Sequence, residues 1–276
     1  MPVQIEKLLG GNGLMIENNF NDHPVRFEVD GNVAIVTLNR PDKANAFDGA
    51  MWLALEEAAE KIILNDSVRV VLITGAGKSF CGGLDINLAA TEGINLGKKT
   101  MRDGFDTLRY LSGVFSMYEK LPVPVIAVIK GGCIGLGLEL ALACDIRLAS
   151  DSAVFSIPEV AFGLVPDCGG TQRLPRLIGP AMAKELIFTG RRIDSREALR
   201  IGLVNHIYPA GDLDNEVAKM AAEMAGQAPA VVQASKRCIN KAMNTTLEAG
   251  LDFETSAAES VLGEKTKTII KHNRRS

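Results

Sequence analysis

Three segments, residues 33–38, 68–74 and 123–129, are rich in β-branched residues and apolar almost without alternation. A strand with one wet face alternates polar and apolar positions, so runs like these belong in a sheet covered on both faces. Covering a sheet twice requires helices between its strands, and the intervening sequence has them. Residues 47–64 place Trp52, Leu53, Leu55, Ala58, Ile62 and Ile63 at helical spacing, and a second helix is expected around 98–120. Residues 25–29 and 33–38 flank Asp30-Gly31-Asn32, a hairpin signal. An apolar helix is predicted over 138–144, short strands over 145–148 and 154–157, and one more strand near 203–208. Helices alone follow, at 212–225, 229–243 and 246–271, after two predicted at 171–188 and 195–201. The fold class is therefore α/β with a parallel-type sheet and a helical tail. The expected organisation is a loose extension over 1–23, a core carrying the site over 24–207, and a helical region over 208–276.

The glycines are placed where such a sheet would need them. The loops 75–83, 131–137 and 163–170 take eleven of the 27 glycines in 276 residues. They do not build a nucleotide loop. Gly77-Lys78-Ser79 ends like a phosphate-binding loop, but Leu72 stands where that motif requires glycine. After Gly135-Leu136-Gly137, Leu140 fills the last glycine position of a dinucleotide fingerprint. Other classes fall away on composition. Charge is nearly balanced, 30 basic against 33 acidic residues, so no excess calls for a nucleic-acid or membrane partner. Five scattered cysteines without a CxxC pair read as reduced thiols in a cytoplasmic protein, and three histidines far apart in sequence give no metal site or hydrolytic triad.

Two acids are out of place. Glu139 is the only charge in GCIGLGLELALAC (132–144), early in the predicted helix. Burying a lone carboxylate costs several kcal/mol unless it is paired or protonated, roughly 1–3 kcal/mol even for a neutral polar group. Glu139 is thus either a functional acid or a residue satisfied by the free N–H groups of its own helix start. Glu159 is the only charge in AVFSIPEVAFGLVP (153–166), just past a strand end, where α/β proteins place their sites. A solvated loop glutamate is its alternative. Asp167, ahead of Cys168-Gly169-Gly170, is either a third functional acid or the cap of the helix expected near Thr171. The glycine turns could supply the complementary chemistry, because two backbone N–H groups converging on one oxygen form an oxyanion hole.

Four blocks in order resemble the crotonase superfamily, the enoyl-CoA hydratase/isomerase group: VAIVTLNRPDKANAF (33–47), VVLITGAGKSFCGGLDI (70–86), PVIAVIKGGCIGLGLELALACDIRLAS (124–150) and IPEVAFGLVPDCGGTQRLPRLIG (157–179). The resemblance runs from about residue 25 to the C-terminus. It implies a crotonase-like spiral of repeated ββα units with a C-terminal helical trimerisation region, in a homotrimer or dimer of trimers. It implies an acyl-CoA thioester substrate, β-oxidation-type chemistry and no metal or redox cofactor. By resemblance, the backbone N–H groups of Leu84 and Leu136 hold the thioester oxygen. Glu139 and Glu159 match the two glutamates of the hydratases. Lys43, Ala44, Ala46, Gly82, Asp85 and Ile86 match positions lining the CoA adenine and pantetheine. Asn87 stands where the family often has lysine. Asp167 stands where simple hydratases usually have glycine and the dienoyl-CoA isomerase branch has aspartate, and GGCIG (131–135) also looks like that branch. Those isomerases carry aspartate at the position of Glu139. The implied activity is hydration of a 2-enoyl-CoA, with isomerisation of a 3,5-dienoyl-CoA as the alternative. A protein that kept the fold as a binding module is the reading from another class, and the retained glutamates and loops speak against it.

Overall fold

The structure is a computed structural model that describes residues 23–273 apart from 93, 98 and 100. The expected extension over 1–23 lies, except for His23, outside the described residues. The hairpin forms from β1 (Val25–Asp30) and β2 (Val33–Leu38), paired antiparallel. β2 then pairs in parallel with β3 (Val70–Gly75), β3 with β4 (Val125–Ile129), β4 with β6 (Ile146–Ser150), and β6 with β9 (His206–Tyr208). The sheet is buried on both faces, as the unalternating runs require. Ala34, Val36 and Leu38 of β2 face the larger core, while Val33 and Ile35 join Val70, Leu72, Ile126 and Val128 under α8 (Leu213–Ala225).

The larger core is anchored by α1 (Gly49–Ile63) and α3 (Gly104–Lys120). Asp48 caps α1 by accepting from the Met51 N–H, and Asp103 caps α3 by accepting from the Asp106 N–H. Trp52 of α1 stacks obliquely between Phe47 and Phe115, with centroids 4.7 and 4.6 Å away, and all three rings are fully buried. A short helix, α2 (Ile86–Glu92), fills part of the polar stretch between them.

Three sequence expectations need correction. The loop 131–137 contains a strand, β5 (Gly132–Ile134), which pairs in parallel with β7 (Val154–Ser156); β7 pairs with β8 (Ile193–Asp194) in a second small sheet. A strand of three residues that begins with glycine gives a propensity reading little to detect. The helix predicted over 171–188 is two helices, α5 (Gly170–Ile178) and α6 (Pro180–Thr189), separated at Gly179-Pro180. The apolar helix α4 (Leu136–Leu142) also begins two residues earlier than predicted.

α7 (Ser195–Arg200) precedes β9, and after Tyr208 only helices follow among the described residues: α8, α9 (Pro229–Ala242) and α10 (Leu247–Asn273). Lys236 pins α9 to the core, donating to Asp145 at 2.7 Å and to the Val123 carbonyl at 2.9 Å. No described helix is long and apolar enough to cross a membrane.

The aromatic triad gives a direct test. Trp52→Ala should lower unfolding free energy by about 3–5 kcal/mol in denaturant titration, the cost of a large aromatic cavity. A loss under about 1 kcal/mol would contradict the packing described.

Candidate active site

The site is assembled by register. The loop after β3 runs beside β5 as a parallel extension: Phe80 N–H donates to Lys130 O (2.7 Å), Cys81 N–H to Gly132 O (2.9 Å) and Ile134 N–H to Cys81 O (2.9 Å), making Cys81 and Cys133 bridge partners. Both chains then reach glycine two residues later, at Gly83 and Gly135. These glycines touch: a Cβ built on Gly135 would lie 3.8 Å from the Gly83 Cα and only 2.6 Å from Glu159 Oε1. Gly135 also has φ +54° and Gly83 φ +98°, conformations that disfavour any side chain.

The residues after the two glycines are Leu84 and Leu136. Phe47 N–H donates to Gly83 O and Asp85 N–H to Phe47 O, so the intervening Leu84 N–H turns away from that bridge. Leu136 is the first residue of α4, so its N–H has no acceptor within the helix. The register therefore brings the two expected donors into equivalent positions on adjacent turns.

The acids stand beside them. Glu139 is fully buried, and its Oε1 accepts a 2.7 Å hydrogen bond from the Gly170 N–H. Its Oε2 is buried without a partner. Its own helix start does not satisfy it; the donor comes from α5. Burial pushes its carboxyl up to about 8, against the pull of the Gly170 N–H, and the negative charges of Glu159 and Asp167 push the same way as burial. Glu159 opens a 3₁₀ turn (Glu159–Phe162) directly after β7 and is half-buried rather than solvated. Its Oε2 likewise lacks a partner, and burial raises its carboxyl, with Asp167 adding to the rise.

Asp167 is exposed and does not cap α5; Gly169 holds that position with no side-chain bond. Instead, carboxylate oxygens of Glu139 and Asp167 and the Cys168 Sγ lie within 4.8 Å of one another. The sequence expectation of no metal site rested on histidine and cysteine spacing, which does not register this group of two acids and a thiol.

The expected CoA-lining residues fall on one edge. Lys43 and Ala44 are exposed at the end of a 3₁₀ turn (Pro41–Lys43), and Ala46 is half-buried. Ala44 O accepts from Gly82 N–H at 2.8 Å, which joins this loop to the glycine turn. Ile86 is exposed at the start of α2. Asp85 is already engaged: its carboxylate binds Arg40 at 3.0 Å and accepts from the Leu88 N–H, and Arg40 holds it below the usual carboxylate range. Sequence reading missed Arg40 and Asn45, whose roles are contacts between loops that only the fold brings together. A groove of about 1140 Å³, lined by Gly169, Arg173, Arg176, Val232, Lys236 and Asn240, opens against α9 and shares only the Gly169 loop with the acids.

Comparison with known proteins settles the kinship. The sequence profile described as Enoyl-CoA hydratase/isomerase matches residues 28–272. The chain belongs to the enoyl-CoA hydratase/isomerase family. It is 41% identical over 234 residues to the short-chain-enoyl-CoA hydratase of Clostridium acetobutylicum, covering 84% of this chain and 87% of that one. It is 38% identical over 242 residues to the mitochondrial Δ(3,5)-Δ(2,4)-dienoyl-CoA isomerase of Rattus norvegicus, covering 86% and 73%. A Thermobifida fusca YX protein solved in complex with CoA superposes with a TM-score of 0.82 at 32% identity, covering 89% and 95%. The α/β fold is thus that of the crotonase superfamily.

The raised Glu139 carboxyl has a consequence for stability. A carboxyl held well above its unfolded value of 4.5 favours the fold while protonated, and that contribution disappears as pH climbs from 4.5 through about 8. Glu139→Gln, which cannot ionise, should therefore gain stability relative to the parent between pH 5 and pH 9, by more than about 1 kcal/mol. Thermal unfolding at the two pH values measures it. An unchanged difference would show that Glu139 is solvated.

Proposed function

We propose that the chain is an enoyl-CoA hydratase that adds water across the 2,3 double bond of a 2-enoyl-CoA. The observation that carries this reading is the packing of Glu159 Oε1 on Gly135, which places an under-satisfied acid beside the turn that presents the Leu136 N–H. A thioester oxygen accepting from Leu84 and Leu136 draws charge out of the double bond and leaves C3 electrophilic. Water oxygen bonds to C3, water loses one proton, and C2 gains one. Such a reaction needs one acid ionised and one protonated, and a buried carboxyl opposed by the charge of a half-buried neighbour favours that state. Glu139 orients and activates the water, and Glu159 handles the proton at C2. The N–H pair stabilises the enolate-like oxygen, about 3–4 kcal/mol per donor by analogy with oxyanion-hole deletions.

CoA enters as part of the substrate, along the edge formed by Lys43, Ala44, Ala46, Gly82, Asp85 and Ile86, and no further cofactor is invoked. The CoA-bound relative supports that class of substrate. Exposed apolar residues on and beside the last two helices, Ile239, Met243, Leu247 and Leu251, support assembly as a homotrimer or dimer of trimers. A reducing, cytoplasmic setting suits the five free thiols.

Asp167 favours a second reading. Its carboxylate stands within 4.8 Å of Glu139 and its charge acts on the Glu159 carboxyl, so Glu159 and Asp167 could move a proton along a longer conjugated chain, converting a 3,5-dienoyl-CoA to the 2,4-isomer. Purified protein with crotonyl-CoA should bleach the conjugated-thioester absorbance, and Glu159→Gln should reduce kcat by at least about a hundredfold. Crotonyl-CoA left untouched while a 3,5-dienoyl-CoA is isomerised, and Asp167→Asn halting that reaction, would replace the first reading with the second.

A further inference from the structure

Asn45 is fully buried, although it is a polar residue in a surface loop. Its backbone is left-handed, with φ 57°. Its amide bonds in every direction available to it. Oδ1 accepts from the Arg40 N–H at 2.9 Å. Nδ2 faces three carbonyls, donating to Ala76 O at 2.9 Å, Ser79 O at 2.8 Å and Phe80 O at 3.3 Å. Carbonyls only accept, so the orientation of the amide is fixed by its partners.

Its main chain extends the same network. The Cys81 thiol donates to Asn45 O at 3.1 Å and accepts from the Gly83 N–H at 3.3 Å. Burial pushes that thiol up to about 12, so it keeps its proton at neutral pH. Arg40, whose N–H binds Asn45, also donates through Nη1 to Ala46 O and pairs with Asp48 and Asp85. One residue thus makes both links: its side chain ties the 40–47 loop to the 75–81 loop, and its main-chain carbonyl reaches Gly83, the residue before the Leu84 donor, through the Cys81 thiol.

We propose that Asn45 is a positioning residue of the oxyanion hole: it sets the Leu84 N–H through the carbonyls of the 75–81 loop and through the Cys81 thiol. This rests on the hydratase reading above, in which Leu84 and Leu136 together bind the thioester oxygen. Donors that must meet a developing charge tolerate little displacement, so a shift in this loop would weaken transition-state binding more than ground-state binding.

Three variants test it: Asn45→Asp, which keeps the shape and loses the donors, Cys81→Ala, which removes the link to Gly83, and Cys81→Ser, which restores a donor and acceptor. Two readouts are used. One is the split between kcat and KM on crotonyl-CoA. The other is the absorption of a bound amino-substituted cinnamoyl-CoA, which moves to the red as its carbonyl is polarised. Asn45→Asp should lower kcat about a hundredfold and Cys81→Ala about tenfold, each exceeding any rise in KM, with the red shift reduced in both. Cys81→Ser should recover most of the kcat and the red shift. Should Asn45→Asp fail to fold, the two Cys81 variants decide alone. Parent-like kcat and red shift in Cys81→Ala, or a rise in KM with kcat unchanged in Asn45→Asp, would overturn the proposal. A parent protein that neither hydrates crotonyl-CoA nor shifts the probe would instead overturn the hydratase reading on which it rests.

Discussion

Three chain segments arrive at the site in step, and the rest of the site depends on that parallel register. Cys81 bridges Cys133, and Cys133 pairs with Phe155 in the β5–β7 ladder. From these positions each segment runs on to the residue the chemistry needs: Gly83-Leu84, Gly135-Leu136 and, past Pro158, Glu159. Gly135 N–H donating to Ser156 O at 2.9 Å fastens the second segment to the third. A slip of one residue would turn every side chain to the opposite face and separate the two N–H groups. The two-sided burial of the large sheet makes such a slip expensive, because apolar residues on both faces are fitted to α8 and to the larger core. Stability and site geometry therefore draw on the same constraint.

The electrostatics follow from the same placement. Glu139 is buried on α4, and backbone N–H groups of Gly170 and Cys168, outside its own helix, pull its carboxyl down. They do not offset the loss of water around a carboxylate, and burial pushes the group up to about 8. The charges of Glu159 and Asp167 push the Glu139 carboxyl up further, and Glu139 and Asp167 lie beside the buried Cys168 thiol. An acid poised near neutral pH beside another under-satisfied acid suits proton transfer to and from carbon and water.

Much of this was legible in the sequence, for identifiable reasons. Unalternating β-branched runs marked the buried strands, and a lone charge in a long apolar run marked Glu139 and Glu159. What stayed hidden depends on contacts between distant segments. β5 is only three residues long and begins with glycine, so its identity comes from its neighbours β7 and the 80–82 segment. Asp167 could be read as a helix cap until Gly169 was seen to occupy that place. Nothing local in PDKANAF reveals that the Asn45 amide binds carbonyls more than thirty residues away. Asp85 matched a ligand-lining position, but its carboxylate is held by Arg40.

The most direct test of the central claim is a crystal structure with an acyl-CoA bound. The geometry predicts the thioester oxygen about 3 Å from both the Leu84 and Leu136 nitrogens, with C2 and C3 facing Glu159 and Glu139. A thioester lodged in the groove against α9, or an oxygen bound by only one of the two N–H groups, would contradict it.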